Sequence, residues 1–358
     1  MEIAIQTLPE QQRKPLFTDS SSLGFGRIFT DHMFTMRYHP EKGWHEPKIE
    51  PYRALEFEPA TIVFHYGQEI FEGTKAFVGE DGQVRLFRTD RNIARMNRSA
   101  ERMCMPRVPE DVTLQAIEEL VRVDRRWIPK ERGTSLYIRP TMIGTDPFLG
   151  VRASDTYLFF VILSPVGAYY AEGFNPVSLL VDKRFTRAAT GGTGEAKAGG
   201  NYGGSLLAGR IAAEKGCAQV LWLDAKEHRW VEEVGAMNIW FAFGNKLVTP
   251  PLTGTILPGV TRESLVELAP KLGYEVEQRQ VAIDEVLSGI KSGEITEVFG
   301  SGTAAVVSPV GKIVTEEETV VINDNKVGPV SQHLFDELTG IQMGAKPDPF
   351  GWVRMLDK

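Results

Sequence analysis

Apolar residues recur along this chain in two rhythms, one of period two and one of about 3.6 residues. Short runs rich in β-branched and aromatic residues predict strands at 34–38, 60–64 and 83–87. A helix opens at Thr89 or Asp90, both good N-caps, and sets Ile93, Met96, Ala100 and Met103 at helical spacing. A second helix follows from about Asp111, with Leu114, Ile117, Leu120 and Val121 on one face. Strands are expected at 135–138 and 157–163. The stretch 167–176 is rich in turn formers and has no period, so a domain boundary falls there. Beyond it the pattern predicts a strand at 177–181, a Gly-rich loop at 190–204 and a helix at 205–215 ended by Gly216. Strands at 218–223 and 239–243 follow, then a helix from Thr261 or Arg262 that Gly273 stops. A strand at 275–281, a helix at 284–291, a strand at 295–299 and a helix at 329–338 complete the chain. The reading is α+β, with a smaller domain at 1–168, an interdomain loop at 169–183 and a larger domain at 184–358. Strand order does not follow from the pattern.

Length and composition agree with two folded domains: 358 residues, 42% hydrophobic, 24% charged, and no low-complexity tract. The net charge of −7 is spread along the chain, with no basic stripe for nucleic acid or an anionic membrane. Cys104 and Cys217 lie far apart without metal-ligand spacing, which fits a reducing compartment and a packing role for each. The N-terminus lacks a signal-peptide core, and the most apolar run, 157–166, is too short to span a bilayer. A cytoplasmic protein is expected. Asn97-Arg98-Ser99 matches a glycosylation signal, but it falls in an expected helix, so chance is the better reading. The six histidines are scattered, and structural or surface roles are their default.

Four windows carry candidate chemistry. The richest, 191–204, holds seven glycines around Lys197. Glycines let backbone approach a ligand, and a lysine among small residues can be desolvated into a nucleophilic amine. A flexible surface loop with a solvated lysine explains the window equally well. It is no Walker A loop, because Ala198 stands where Ser or Thr is needed. In the second window, Glu232-Glu233 to Asn238, a carboxylate could be a solvated turn residue or could bind a protonated ring nitrogen. The third, Leu257 to Arg262, enters a helix whose N-terminus could hold phosphate or could be an ordinary cap. The fourth, Gly300 to Ala305, follows a strand and could form an anion-binding nest. Serine-elbow, zinc-helix and dinucleotide fingerprints are lacking.

Taken together, in this order and spacing, the windows resemble the fold-type IV pyridoxal-phosphate enzymes, the D-amino acid aminotransferase-like fold. Within that group the chain resembles the branched-chain amino acid aminotransferases from about Phe25 to its end. Two further windows carry the likeness, Phe25 to Met33 and His65-Tyr-Gly-Gln-Glu-Ile-Phe-Glu-Gly-Thr-Lys-Ala-Phe77. The resemblance implies pyridoxal 5′-phosphate bonded to Lys197, with Glu233 pairing its ring nitrogen. It implies Arg95, the Val260 and Thr261 backbone N–H groups and the Thr303 hydroxyl on the phosphate, and Tyr202 beside the phenolic oxygen. Phe25, Tyr66, Phe71 and Tyr137 would wall an apolar substrate pocket. Arg139 would meet the distal carboxylate of glutamate, and Ala304 and Ala305 would offer backbone N–H groups to the α-carboxylate. Tyr169 would come from the interdomain loop. Two departures matter. Ala236 stands where many animal relatives have Thr, and Ala305-Val-Val-Ser308 stands where some carry a redox Cys pair, so a thiol switch there is chemically impossible.

The activity so implied is ping-pong transfer of an amino group from L-leucine, L-isoleucine or L-valine to 2-oxoglutarate, by a homodimer. D-Amino acid aminotransferases and aminodeoxychorismate lyases are the alternatives within the group, but they are typically shorter and lack this N-terminal region. A non-catalytic cofactor carrier is the alternative from another class.

Overall fold

A computed structural model of the chain describes residues 1–20, 23–131, 133–167 and 174–356. Residue contacts divide it into two compact units. The first comprises Met1–Tyr169, Ala196–Gly199 and Gly340–Lys358, and the second Tyr170–Glu195 and Gly200–Thr339. The short Ala196–Gly199 segment and the C-terminus therefore join the first unit, although they follow the expected boundary in sequence. Tyr169 lies outside the described residues.

The first unit contains β1 (Ala4–Ile5), β2 (His32–His39), β3 (Gly43–Pro51), α1 (Ile62–Tyr66), β4 (Glu69–Phe71), β5 (Thr74–Val78) and β6 (Val84–Phe87). It continues with α2 (Thr89–Arg102), α3 (Glu110–Val123), β7 (Ser135–Gly144) and β8 (Tyr157–Val166). The second unit contains β9 (Val177–Leu180), most of α4 (Gly199–Gly203), α5 (Leu206–Glu214), β10 (Gln219–Leu223), β11 (Val231–Val234), β12 (Met237–Phe243) and β13 (Lys246–Thr249). There follow α6 (Val260–Lys271), β14 (Glu275–Gln278), α7 (Ile283–Ser292), β15 (Glu297–Gly302), β16 (Val306–Val314), β17 (Thr319–Val321) and most of α8 (Pro329–Met343). The last strand, β18 (Val353–Leu356), pairs antiparallel with β6 and so returns the chain to the first sheet.

That first sheet has nine strands in the order β1-β3-β2-β8-β7-β5-β6-β18, with β4 added on β7. It is antiparallel apart from the β1–β3 pair. One face buries Phe34, Met36, Ile70, Leu136, Ile138 and Phe159 against Ile93, Met96 and Ala100 of α2 and Ile117 and Leu120 of α3. The opposite face of β4 and β7 is left to Glu69, Phe71, Tyr137 and Arg139, because successive strand residues alternate sides. The second sheet also has nine strands, and β11 pairs with both β10 and β12. The pairings β11-β10-β9-β16-β15-β12 therefore close into a ring, with Leu179, Val234, Ile239, Phe241 and Val298 in its core.

The expected strand at 60–64 is instead the short helix α1. Tertiary context overrides the β-branched composition: Ile62 N–H donates to the Asp146 carbonyl, and Gly67 ends the turn at φ +59°. Arg88, not Thr89 or Asp90, occupies the α2 N-cap, in a left-handed conformation with no side-chain cap. Packing is confirmed for buried Cys217, but Cys104 is exposed, so the packing role expected for it is withdrawn. Asn97 is buried in α2 and its amide donates to the Val108 carbonyl, which removes it as a glycan acceptor. His32 is a buried structural group, 2.7 Å from Asp124 and accepting from Leu8 N–H. Among the described residues no cluster of metal-ligating side chains occurs, and no helix is long and apolar enough to cross a membrane.

Phe159 is fully buried on β8 against Phe34 and Trp44. Phe159→Ala is expected to destabilise the protein by about 3–5 kcal/mol, read as a lowered denaturant midpoint.

Candidate active site

Lys197 is not on a loose loop. Its backbone N–H donates to Ser99 Oγ at 2.9 Å, and its carbonyl accepts from Phe71 N–H at 3.0 Å. Ala198 bridges to Ile70, and Ala196 and Ala198 both point into the core of the first unit. An extended segment alternates its side chains, so burying 196 and 198 turns Lys197 to the other side. There its Nζ lies 4.6 Å from the centroid of the Phe71 ring. The backbone at Lys197 is therefore fixed, while Gly191, Glu195, Gly200, Gly203 and Gly204 of the same window are exposed.

Helix α2 supplies the other wall. Asn92, Arg95 and Ser99 are spaced three and four residues apart and share one buried stripe. Arg95 donates to Glu72 through Nε at 2.7 Å and Nη2 at 2.8 Å, and Asn92 donates to the same carboxylate at 3.0 Å. Glu72 is 1% exposed. Burial pushes its carboxyl upward, but Arg95, the Lys197 charge and the Asn92 amide outweigh burial and hold it below the usual range. Glu72 thus fixes the plane of the Arg95 guanidinium while facing the lysine's charge.

The expected pocket wall also lies in this unit. The Phe25 and Tyr137 rings meet edge to face at 4.8 Å. Arg139 stands over Phe71 at 4.7 Å and donates from Nη2 to the Tyr137 hydroxyl at 3.1 Å. Its Nε is buried and makes no hydrogen bond among the described residues. Tyr66 at the end of α1 is more exposed and donates its hydroxyl to the Leu149 carbonyl.

The remaining expected residues belong to the second unit. Glu233 on β11 is 2% exposed and faces its register partner Asn238 on β12, whose amide donates to it at 3.0 Å. Arg187 Nε lies 2.5 Å from the other Glu233 oxygen. The same guanidinium donates to the Gly194 and Thr255 carbonyls, tying the Gly-rich loop to the carboxylate. The neighbouring Glu232 is drawn away by Thr255 Oγ1, at 2.6 Å, and burial raises its carboxyl. Gly259 caps α6 without a side chain; a Cβ there would sit 2.0 Å from Asn238 Oδ1, so only glycine allows this approach. Val260 and Thr261 are the first residues of α6, where backbone N–H groups have no intrahelical acceptor. Tyr202 is half-buried in α4. Thr303, Ala304 and Ala305 form the three-residue turn between β15 and β16, and Val306 follows it at φ +63°. A β-branched residue at positive φ costs about 1–3 kcal/mol, a strain characteristic of functional turns.

Sequence reasoning missed Glu72, Asn92, Ser99, Arg187 and Asn238. The α2 stripe was visible as polar residues at helical spacing, whereas Arg187 and Asn238 are joined to Glu233 only by the fold.

The model of the family described as Amino-transferase class IV matches residues 69–313, and the chain belongs to that family of aminotransferases. It is 50% identical over 351 residues to branched-chain-amino-acid aminotransferase 2 of Bacillus subtilis, spanning 98% of this chain and 96% of that one. Branched-chain-amino-acid transaminase 1 of the same organism is 51% identical, over 94% of each. The crystal structure of the Escherichia coli branched-chain amino acid aminotransferase superposes with a TM-score of 0.73 at 26% identity, over 92% of this chain and 99% of that one. A second solved branched-chain amino acid aminotransferase, from T.th. and complexed with N-(5′-phosphopyridoxyl)-L-glutamate, gives 0.75 at 26% identity, over 90% and 98%.

Removing the Glu72 carboxylate strands a buried guanidinium, so Glu72→Gln is expected to lower stability at pH 7 by about 3 kcal/mol. A depressed carboxyl stabilises above its ordinary value of 4.5 and loses that contribution as pH falls through the folded value. The gap between wild type and variant should therefore close under acid, in unfolding measured from pH 7 down to pH 3.

Proposed function

We propose that this chain is a branched-chain-amino-acid transaminase, moving the amino group of L-leucine, L-isoleucine or L-valine to 2-oxoglutarate with pyridoxal 5′-phosphate. The observation that carries the reading is Lys197, pinned through both backbone groups with its amine over Phe71. Identity near 50% to enzymes of that name over almost the whole chain supports the substrate class.

The residues present fit the cofactor. Lys197 supplies the amine for its aldehyde. Glu233, nine-tenths or more buried and oriented by Arg187 and Asn238, supplies an anion for the ring nitrogen. Arg95, the first N–H groups of α6 and Thr303 supply phosphate donors. Tyr202 would border the ring's phenolic oxygen. When bound, the cofactor provides the electron sink that lets a bond at the substrate α-carbon break. The protein's own share is positioning and proton transfer. With that group bound, Lys197 Nζ would take the proton from the substrate α-carbon and hold it for return. Ala304 and Ala305 hold the α-carboxylate through backbone N–H groups. Phe25, Tyr66, Phe71 and Tyr137 exclude water around an apolar side chain, and Arg139 receives the distal carboxylate of glutamate. Ala236, in the two-residue turn between β11 and β12, leaves that turn without a hydroxyl near the carboxylate.

We also read the chain as a homodimer. Phe64, Leu149 and Val151 are 61%, 61% and 86% exposed in the first unit, apolar side chains that a second copy would cover. Operation in the cytoplasm accords with two unpaired cysteines.

Lys197→Ala is expected to lose both the visible absorbance of the purified holoenzyme and all L-leucine:2-oxoglutarate transamination. An undiminished visible band in that variant overturns the assignment of the lysine. Turnover of D-alanine in preference to L-leucine by the wild type overturns the substrate class.

A further inference from the structure

The face of β4 and β7 that carries Phe71 is crowded with basic groups. Arg139 and Lys197 both lie over the Phe71 ring, at 4.7 and 4.6 Å. Lys75 on β5 pairs in register with Tyr137 and so shares that face, its amine pushed down to about 8 by burial. Glu72 is committed to Arg95 and Asn92. One more carboxylate belongs to this face. Glu69 stands two residues before Phe71 on the same side of β4, while Ile70 between them is fully buried in the core. Its Oε1 lies where a Cβ on Gly199 would be, 1.7 Å away, so the carboxylate rests directly on the backbone two residues beyond Lys197. It is half-buried, and burial raises its carboxyl while the Arg139 charge draws it back down. Among the described residues no donor hydrogen-bonds to its carboxylate and it makes no ion pair within 4.0 Å. Glu69 and Arg139 therefore sense each other's charge without being locked together, and each keeps hydrogen-bonding capacity for a third group.

An enzyme that takes both leucine and glutamate in one pocket meets an electrostatic problem. An apolar side chain leaves the half-buried guanidinium of Arg139 without a substrate anion, whereas a distal carboxylate supplies one. We propose that Glu69 is a specificity-determining residue of this site: it balances Arg139 when the substrate side chain is apolar and competes with the distal carboxylate of an acidic substrate for the same guanidinium. This rests on the reading that Arg139 receives that carboxylate. Two carboxylates sharing one guanidinium repel, so Glu69 weakens the acidic substrate and favours the apolar one. The pair thereby brings the two affinities closer together than Arg139 alone would allow.

The test uses the holoenzyme and the KM of two oxo acids, 2-oxoglutarate and 4-methyl-2-oxopentanoate, each with a saturating amino donor. Glu69→Gln is expected to lower the KM for 2-oxoglutarate by about three- to tenfold and to raise that for 4-methyl-2-oxopentanoate by a similar factor, through the loss of one like charge and one counter-charge. Glu69→Asp, which keeps the charge, should restore the wild-type order of the two values. Arg139→Ala should raise the KM for 2-oxoglutarate selectively. Equal changes in both KM values for Glu69→Gln, or none, overturn the role of Glu69 while a selective Arg139→Ala effect leaves the site reading standing. The same holds if Glu69→Asp behaves like Glu69→Gln, since side-chain fit and not charge would then be responsible. An Arg139→Ala variant with no selective effect overturns the reading of Arg139 and this inference with it.

Discussion

The backbone of Lys197 is held from two sides, by a serine hydroxyl of α2 and by the N–H of Phe71 at the end of β4. Most of what surrounds the amine follows from that restraint. With Ala196 and Ala198 sunk into the core, the lysine has one direction left, across the Phe71 ring. In the proposed function this lysine is the attachment point of the cofactor, and positioning of that kind is worth several kcal/mol in a reaction. Flanking glycines give the chain freedom to enter and leave this short pinned segment, but they do not loosen the segment itself.

Charge is organised around the same point. Glu72 and Arg95 form a buried pair whose Coulombic gain must offset desolvation of both partners, and the Asn92 amide and the Gly73 N–H complete the carboxylate's hydrogen bonds. Such a pair adds little stability compared with apolar packing, so its value lies in holding the guanidinium in one orientation. Glu233 is treated alike in the second unit, with Arg187 and Asn238 as its partners. In each unit a shielded carboxylate is oriented by an arginine and an asparagine amide, and in each the arrangement sits beside residues of the expected site.

The elements that were legible in the sequence are the longer ones, whose burial follows a regular pattern. Helices α2, α3 and α7 show their apolar stripes plainly, and strands β2, β8 and β12 read as apolar runs because both or most of their faces are covered. The family was legible too, since six windows of specific residues stand in order, and the resemblance they carry singled out Lys197, Glu233 and, outside the windows, Arg95. Short strands such as β4 and β17 left no periodic trace, for three residues cannot establish an alternation. The segment at 60–64 misled because a β-branched composition describes a half-buried surface and not a backbone preference.

Local rules of spacing and capping act within a few residues, and the chain alone therefore sets the longer helices and most long strands, while the resemblance it carries singles out Lys197 for the proposed site. Pairings across long separations are a different matter. Lys197 reaches Ser99, and Arg187 reaches Glu233, through contacts 98 and 46 residues apart by numbering, which no local pattern encodes. Only the tertiary structure could decide that Ala196–Gly199 packs with the first unit, that β11 closes the second sheet onto β12, and that Glu69 and Arg139 share a face. The physical reason is that these arrangements arise from burial and charge summed over the whole fold, and each residue's partner is chosen by where the sheets place it.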